Sequence, residues 1–418
     1  MSSSISTCCN LQRRIAVCGI IAVVLTLAMS ACGMGGSSPG GLEYVNTSIE
    51  NGCPLYWETD SAGVVNIYLV YDQERSSPNR ANGHWHFQLQ ASKAADLTIV
   101  LHNFDNVWNG KMGSPINDRT ICFVSEDGKR WQVLATEKIE GNRLRVRAQM
   151  RRESLYLARL EPYRVSDLER LKQEIRGHRL VEISHIGHTV EGRELEMIRI
   201  GQADAPGRVL LRARAHPWES GGNWVVQGLI RRLLRDDEDS RRYLARYCVY
   251  VMPMANKDGV VRGWTRFNML GKDLNRNWDE PADPCLAPEN FALESWLQAM
   301  AAKGKRPHLM IDLHNDDGGK LHVSRPGIDL DEYLQRMEAL EGLLRKWTWF
   351  TEGSTGSNYR NPGTIGEGLL ERYGMIACVL ELNANWIAGL KDYPCGKNWE
   401  LFGEQLCEVF FHYFESNH

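Results

Sequence analysis

The 418-residue chain has no surplus of positive charge: forty-nine Lys and Arg stand against fifty-two Asp and Glu, a formal net charge of −3. Binding through nucleic-acid phosphates needs a basic excess, so no nucleic-acid partner is expected. Metal or redox cysteine spacing is also lacking, because none of the eleven cysteines forms a CxxC pair. Long apolar runs are absent apart from Ile15 to Ala31, which excludes a multi-span membrane protein. What remains is 43% hydrophobic and 24% charged, a composition that buries a core and does not suit a disordered tail.

The single apolar run follows Arg13 and Arg14 and ends in the small residues Ser30 and Ala31 before Cys32. This is the grammar of an export signal. Leu27 to Cys32 resembles a bacterial lipobox, with Met29 where an aliphatic residue is usual, and Cys32 would then be the lipidated residue. A plain signal peptide and an uncleaved anchor are the alternatives. Residues 1–31 are thus expected to be a signal peptide, and 32–41 the lipidated cysteine with a Gly/Ser/Pro tether that lets a folded body stand off a membrane. The expected location is exported and membrane-anchored, facing the periplasm or exterior. Beyond Cys32, seven cysteines leave at least one free thiol, and Cys248 and Cys378 sit in apolar runs as small buried hydrophobes.

From residue 42 to 162 short alternating runs, such as Val64 to Tyr71, His84 to Leu89, Leu97 to Leu101 and Leu144 to Arg147, are broken by Gly, Asn, Asp and Pro. That rhythm predicts an antiparallel β-sandwich. His84 and His86 alternate there on one expected strand face, more in the manner of packing residues than of metal ligands. Residues 163–418 change to alternating strands and helices. Val165 to Arg176 reads as an amphipathic helix with Ser166 as N-cap and Gly177 as stop. Apolar strands are predicted at Val209 to Leu211, Tyr247 to Pro253, Leu309 to Leu313 and Met375 to Leu382, with helices at Gly222 to Leu234, Asn290 to Met300, Asp331 to Lys346 and Trp399 to Phe414. The fold class is α/β: helices on both faces of a mixed sheet, preceded by a small sandwich. Chemistry is then expected at the C-terminal ends of the strands.

Those ends carry unusual residues. His216-Pro217-Trp218-Glu219 follows the first strand, and His314 ends another. Two imidazoles and a carboxylate suit a catalytic zinc, which takes three protein ligands and keeps one position open. The run Arg266 to Trp278 concentrates two arginines and several amides, matching a substrate with a free carboxylate. Glu381 leaves the last strand as a general-base candidate.

Taken together, His216-x-x-Glu219, the R-x-N-x-x-G-x-D-L-N-R-N run from Arg266 to Asn277, His314 and Glu381 resemble the zinc metallocarboxypeptidases. The region from His84 to Phe87 and Leu160 to Arg164 resembles their cytosolic carboxypeptidase branch and its bacterial relatives. The likeness covers about residues 60 to 415. It implies a zinc carboxypeptidase-like α/β/α catalytic domain with one Zn2+ per chain held by His216, Glu219 and His314. Glu381 would activate water and Arg266 would stabilise the oxyanion. Asn275 and Arg276 would grip the free C-terminal carboxylate of a peptide substrate, Asp273 would orient His216, and Tyr359 would match a mobile substrate-binding tyrosine by its separation from Glu381. Lys320, Arg325 and Arg360 are basic candidates for recognising an acidic terminal side chain.

Two departures stand out. Lys257, in Asn256-Lys257-Asp258-Gly259, replaces the proline usual in relatives and is expected to alter only local backbone. Asp316 and Asp317 follow His314 where small residues or histidine are usual, and are expected to be solvated loop residues. Two alternative functions stay open: a zinc amidohydrolase acting on peptidoglycan stem peptides or acylated amino acids, and a catalytically silent binding protein.

Overall fold

The computed structural model describes residues 41–323, 331–355 and 362–415. Between Leu42 and Ala158 runs a nine-stranded sheet that doubles back on itself, because the strand Gln132–Ile139 pairs with Ile121–Ser125 at one end and with Arg143–Met150 at the other. Alternation along Arg143–Met150 turns Leu144, Val146, Ala148 and Met150 inward, onto a core that holds Trp85, Phe87, Ile99 and Phe104. One pair departs from the expected antiparallel pattern: Val65–Leu69 lies parallel to Ala95–His102. The segment between these two strands contributes two short strands to a second small sheet and the strand His86–Ala91 to the nine-stranded one. The small sheet joins Asp72–Gln73, Arg80–Ala81, Asn106–Trp108 and Lys111–Gly113.

From Val181 onward a seven-stranded mixed sheet forms. Its centre is four parallel strands, in the order Tyr247–Met252, Gly207–Ala213, Leu309–Asp316 and Ile376–Asn383, flanked by antiparallel edges. Near-continuous burial along these strands reflects helices covering both faces. After Gly207–Ala213 the chain first builds its neighbour on one side and then crosses to the other. The strand order therefore reverses there, opening a crevice at the C-terminal ends of Gly207–Ala213 and Leu309–Asp316. The helix Gly221–Leu233 starts at that crevice, and Gly221 is small for a reason: a Cβ there would lie 2.7 Å from the Asn315 side chain. Further helices span Glu238–Arg246 and Ile365–Tyr373. No disulfide occurs among the described residues, and Cys248 and Cys378 are fully buried.

Local expectations are corrected at four places. The first helix, Val165–Ile175, is capped by Arg164 and not by Ser166, since Asp167 Oδ2 accepts the Arg164 amide at 2.7 Å while Ser166 donates to Glu50. The strand carrying His86 begins at that residue, so His84 lies before it and not on its face. Both histidines are buried: His84 Nε2 sits 3.2 Å from the Asn51 carbonyl, and His86 packs edge-on against Trp131. Lys257 does more than adjust backbone. Its buried ammonium donates to Glu196 Oε1 and Oε2 at 2.7 and 2.6 Å and to the Glu194 carbonyl, and Glu196 is shared with buried Lys172. Asp316 is not a solvated loop residue but ends the strand Leu309–Asp316, whereas Asp317 is a partly exposed loop residue; their contacts follow below.

Two stability predictions follow from buried charge. Lys257→Met would leave Glu196 with Lys172 as its one remaining cation and the Glu194 carbonyl without its donor, so it should cost about 3 kcal/mol, measurable by urea denaturation. Glu289 is the second case. Burial pushes its carboxyl up to about 7, against hydrogen bonds from Asn268 and the Val190 amide. The folded chain thus keeps this proton while the unfolded chain has released it near 4.5. Stability is lost as pH rises from about 4.5 to 7, on the order of 3 kcal/mol from this group. Glu289→Gln removes the loss, so its melting temperature relative to the parent should rise between pH 5 and pH 8.

Candidate active site

Strand register assembles the centre. Arg212 lies opposite Asp312, and two residues along the same faces His314 lies opposite Glu381. Because the strand period is two, Asp312 and His314 point to the same side, and Asp312 Oδ2 reaches His314 Nε2 at 2.6 Å. Arg212 grips Asp312 through two bonds, Nε to Oδ1 at 2.8 Å and a terminal nitrogen to Oδ2 at 2.6 Å. Beyond the first strand, Arg214 adopts a φ of +63°, and its guanidinium donates to the Pro217 carbonyl and to Asn223. This sharp turn carries His216 and Glu219 back over the crevice.

Each histidine is held from behind by a buried aspartate. His216 Nε2 is 3.0 Å from Asp273 Oδ1, and His314 Nε2 is 2.6 Å from Asp312 Oδ2. Both rings therefore donate through Nε2 and present a lone pair at Nδ1. Those two Nδ1 atoms face each other at 3.1 Å, and Glu219 places Oε1 2.8 Å from His216 Nδ1 and Oε2 2.7 Å from His314 Nδ1. Donor atoms of all three residues lie within 4.8 Å of one another. Burial would disfavour a charged His314, yet Asp312 and Glu219 raise it well above its ordinary value, so the pocket draws positive charge, and a metal ion taking the place of the Nδ1 proton would find the lone pair there. Converging lone pairs in an anionic pocket fit a cation, and two imidazoles with one carboxylate fit zinc.

The loop from Arg266 to Asn277 supplies the remaining groups. Asp273 serves two of them, since Oδ2 accepts from Arg266 Nε at 2.8 Å while Oδ1 meets His216. Burial would raise this carboxyl, but Arg266 and His216 hold it well below the usual carboxylate range. Asn275 is buried, with Oδ1 accepting the Ile365 amide at 3.0 Å and Nδ2 3.4 Å from His314 Nε2. Arg276 donates to the Asn275 carbonyl. The sandwich anchors the start of this loop: Asp72, buried, accepts the backbone amides of Thr265, Arg266 and Phe267 at 3.3, 2.7 and 2.9 Å. Arg75 donates its amide to the Gly271 carbonyl, and Gly271, at φ +73°, passes so near that a Cβ would lie 2.8 Å from the Arg75 nitrogen.

Glu381 sits beside His314, its amide bonded to the Lys320 carbonyl. Burial is the largest influence on its carboxyl and raises it well above the ordinary range, with Asp316 adding to the rise. Asp316 is largely enclosed, bonds the Gly319 amide, and lies with His322 near Glu381. Asp317 pairs with Arg119 of the sandwich at 2.6 Å and accepts from Asn117 and Asn385. Tyr359, Arg325, Arg360 and Cys32 lie outside the described residues. Sequence reasoning passed over Arg212, Asp312 and Asp72. The signal for Asp312 was present, two residues before His314 on one strand face.

Residues 168–321 match the family model described as zinc carboxypeptidase. Over that stretch the chain is similar to the zinc carboxypeptidase domain. Human cytosolic carboxypeptidase 1 is 35% identical over 106 residues, 25% of this chain and 9% of that much longer protein. Solved structures share the fold. A metallo-carboxypeptidase from Burkholderia cenocepacia aligns at a TM-score of 0.78 and 20% identity, covering 90% of this chain and 99% of that one. One from Pseudomonas aeruginosa, in complex with (2-guanidinoethylmercapto)succinic acid, aligns at 0.74 and 20%, covering 90% and 100%. The sandwich is thus part of the shared fold and not an addition peculiar to this chain.

If Asp273 orients His216 for the metal, Asp273→Ala should weaken zinc binding about 10- to 100-fold in competition with a chromophoric chelator. Parental affinity in that variant would remove Asp273 from the metal centre.

Proposed function

We propose that the chain is a zinc-dependent metallocarboxypeptidase that hydrolyses the C-terminal peptide, or isopeptide-like, bond of peptides. One observation carries the reading: the sheet register sets Glu381 beside His314, while a single carboxylate, Asp273, joins His216 to Arg266. Zinc held by His216, Glu219 and His314 would supply Lewis-acid activation of water and of the scissile carbonyl. Arg276, with Asn275 beside it, binds the substrate's terminal carboxylate and so places the last peptide bond over the crevice. Arg266 offers its charge to the oxygen of that bond as it becomes an anion. Glu381 takes a proton from the attacking water and returns it to the leaving amine, a role favoured by a carboxyl that burial has made more basic.

Enclosure of Asp72, Asp273 and Asp312 limits rearrangement of the site, which suits hydrolysis on a preorganised framework. The succinic acid derivative bound by the Pseudomonas relative agrees with carboxylate recognition. The apolar run Ile15 to Ala31 and Cys32 support an exported, lipid-anchored enzyme working at a membrane surface on the periplasmic or exterior side.

Glu381→Gln should keep bound zinc and lower turnover about 10²- to 10⁴-fold. The companion measurement is mass spectrometry of products from a peptide library diverse at the C-terminus, with and without a zinc chelator. Loss of single C-terminal residues that stops on chelation is the expected result. Cleavage elsewhere, or turnover indifferent to the chelator, would overturn the reading.

A further inference from the structure

The two arginines assigned to substrate share a neighbour from the other end of the chain. The guanidinium carbon of Arg266 lies 4.4 Å from the ring centre of Trp108, and that of Arg276 lies 5.2 Å from it. Trp108 belongs to the small sheet of the sandwich region. It ends the strand Asn106–Trp108, pairs with Lys111, and is joined to it by Asn109-Gly110, whose φ values of 49° and 73° make a tight two-residue turn of the mirror-image type. That hairpin is itself pinned. The Asn109 amide donates to Asn79 Oδ1 at 2.7 Å, and Asn106 exchanges two bonds with the backbone of Asn82 at 2.8 and 3.0 Å.

We propose that Trp108 is a positioning residue for Arg266 and Arg276, so that the sandwich completes the substrate site of the carboxypeptidase domain. This rests on the reading of those arginines as the oxyanion and carboxylate groups. The physical reason lies in how a guanidinium can be held. Its five N–H donors all lie in one plane, and every hydrogen bond used to fix that plane is a donor lost to substrate. A ring stacked on the face restrains the plane and leaves the donors at the edge. Arg266 already spends Nε on Asp273, and Arg276 gives one terminal nitrogen to the Asn275 carbonyl. The Trp108 ring, over which both guanidinium carbons lie, therefore restrains both groups while using none of their N–H donors. It also couples them, because one ring sets the separation between the group that holds the terminal carboxylate and the group that meets the scissile carbonyl. The hairpin turn and its asparagine bonds hold that ring still.

The test uses the full chain with Trp108→Ala and Trp108→Phe. Three readouts are taken: steady-state kinetics on a peptide with a free C-terminal carboxylate, zinc content with melting temperature, and the rate at which phenylglyoxal labels Arg266 and Arg276, mapped by peptide mass spectrometry. Trp108→Ala should lower kcat/KM about tenfold, with KM rising and kcat falling together, as expected when an electrostatic clamp loses its alignment. Zinc content should stay at the parental level, and both arginines should label at least threefold faster. Trp108→Phe, which keeps an aromatic face, should recover most of both effects. Labelling rates and KM that do not move in Trp108→Ala would overturn the proposal, as would a phenylalanine variant no better than alanine. Labelling does not depend on hydrolysis, so a parent that cleaves no peptide yet shows Trp108-dependent protection would overturn the carboxypeptidase reading and support the positioning role.

Discussion

The buried pair between Arg212 and Asp312 stands at the intersection of everything the site needs. It crosses the two central parallel strands in register, and the remaining donors of Arg212 reach the Leu274 carbonyl and Asn290, on the loop from Arg266 to Asn277 and on the helix Pro288–Ala302. Trp278 covers the guanidinium at 5.3 Å. Desolvating such a pair is costly and tolerable only when its donors and acceptors are engaged. Here Asp312 spends its remaining capacity on His314, so the bond that knits the sheet also fixes the tautomer of that imidazole.

A second carboxylate repeats the logic on the opposite histidine. Asp273 ties His216 to Arg266, and the loop that carries it is anchored through Asp72 of the sandwich and through Asn268, which bonds the Leu286 carbonyl and the amides of Leu270 and Lys272. Orientation thus passes from backbone to carboxylate to imidazole without a solvated step. The sandwich belongs to this chain of support. Besides Asp72 and Arg75, Arg159 reaches from the end of the strand Ser154–Ala158 to Asn385 at 2.7 Å and to the Ala384 carbonyl, just beyond the strand that bears Glu381.

What could be read in the sequence was whatever local periodicity encodes. The apolar runs that became Gly207–Ala213, Leu309–Asp316 and Ile376–Asn383 announced buried strands, and polar residues at the ends of such runs, His216, His314 and Glu381, are conspicuous because burial would otherwise select against them. The structure brings these three together with Glu219, Arg266, Asp273, Asn275 and Arg276 around one crevice. Less legible were partners separated by long stretches of chain. Lys257 meets Glu196 across one sheet region and Asp317 meets Arg119 between two, and nothing near either residue signals its partner. Trp108 was hidden differently. The Asn109-Gly110 pair marks a hairpin in plain sequence, but the cations it would face lie more than a hundred positions onward.

That ordering along the chain bears on assembly. Asp72, Arg75 and Trp108 precede every residue of the loop they hold, and all belong to a segment whose sheet closes by Ala158. Domains tend to fold as units beginning from the N-terminus. The sandwich can therefore be complete while the loop from Arg266 to Asn277 is still unstructured, and it can act as a mould against which that loop sets. A substitution that slows closure of the sandwich would then leave a catalytic sheet with sound strands and an unfinished mouth.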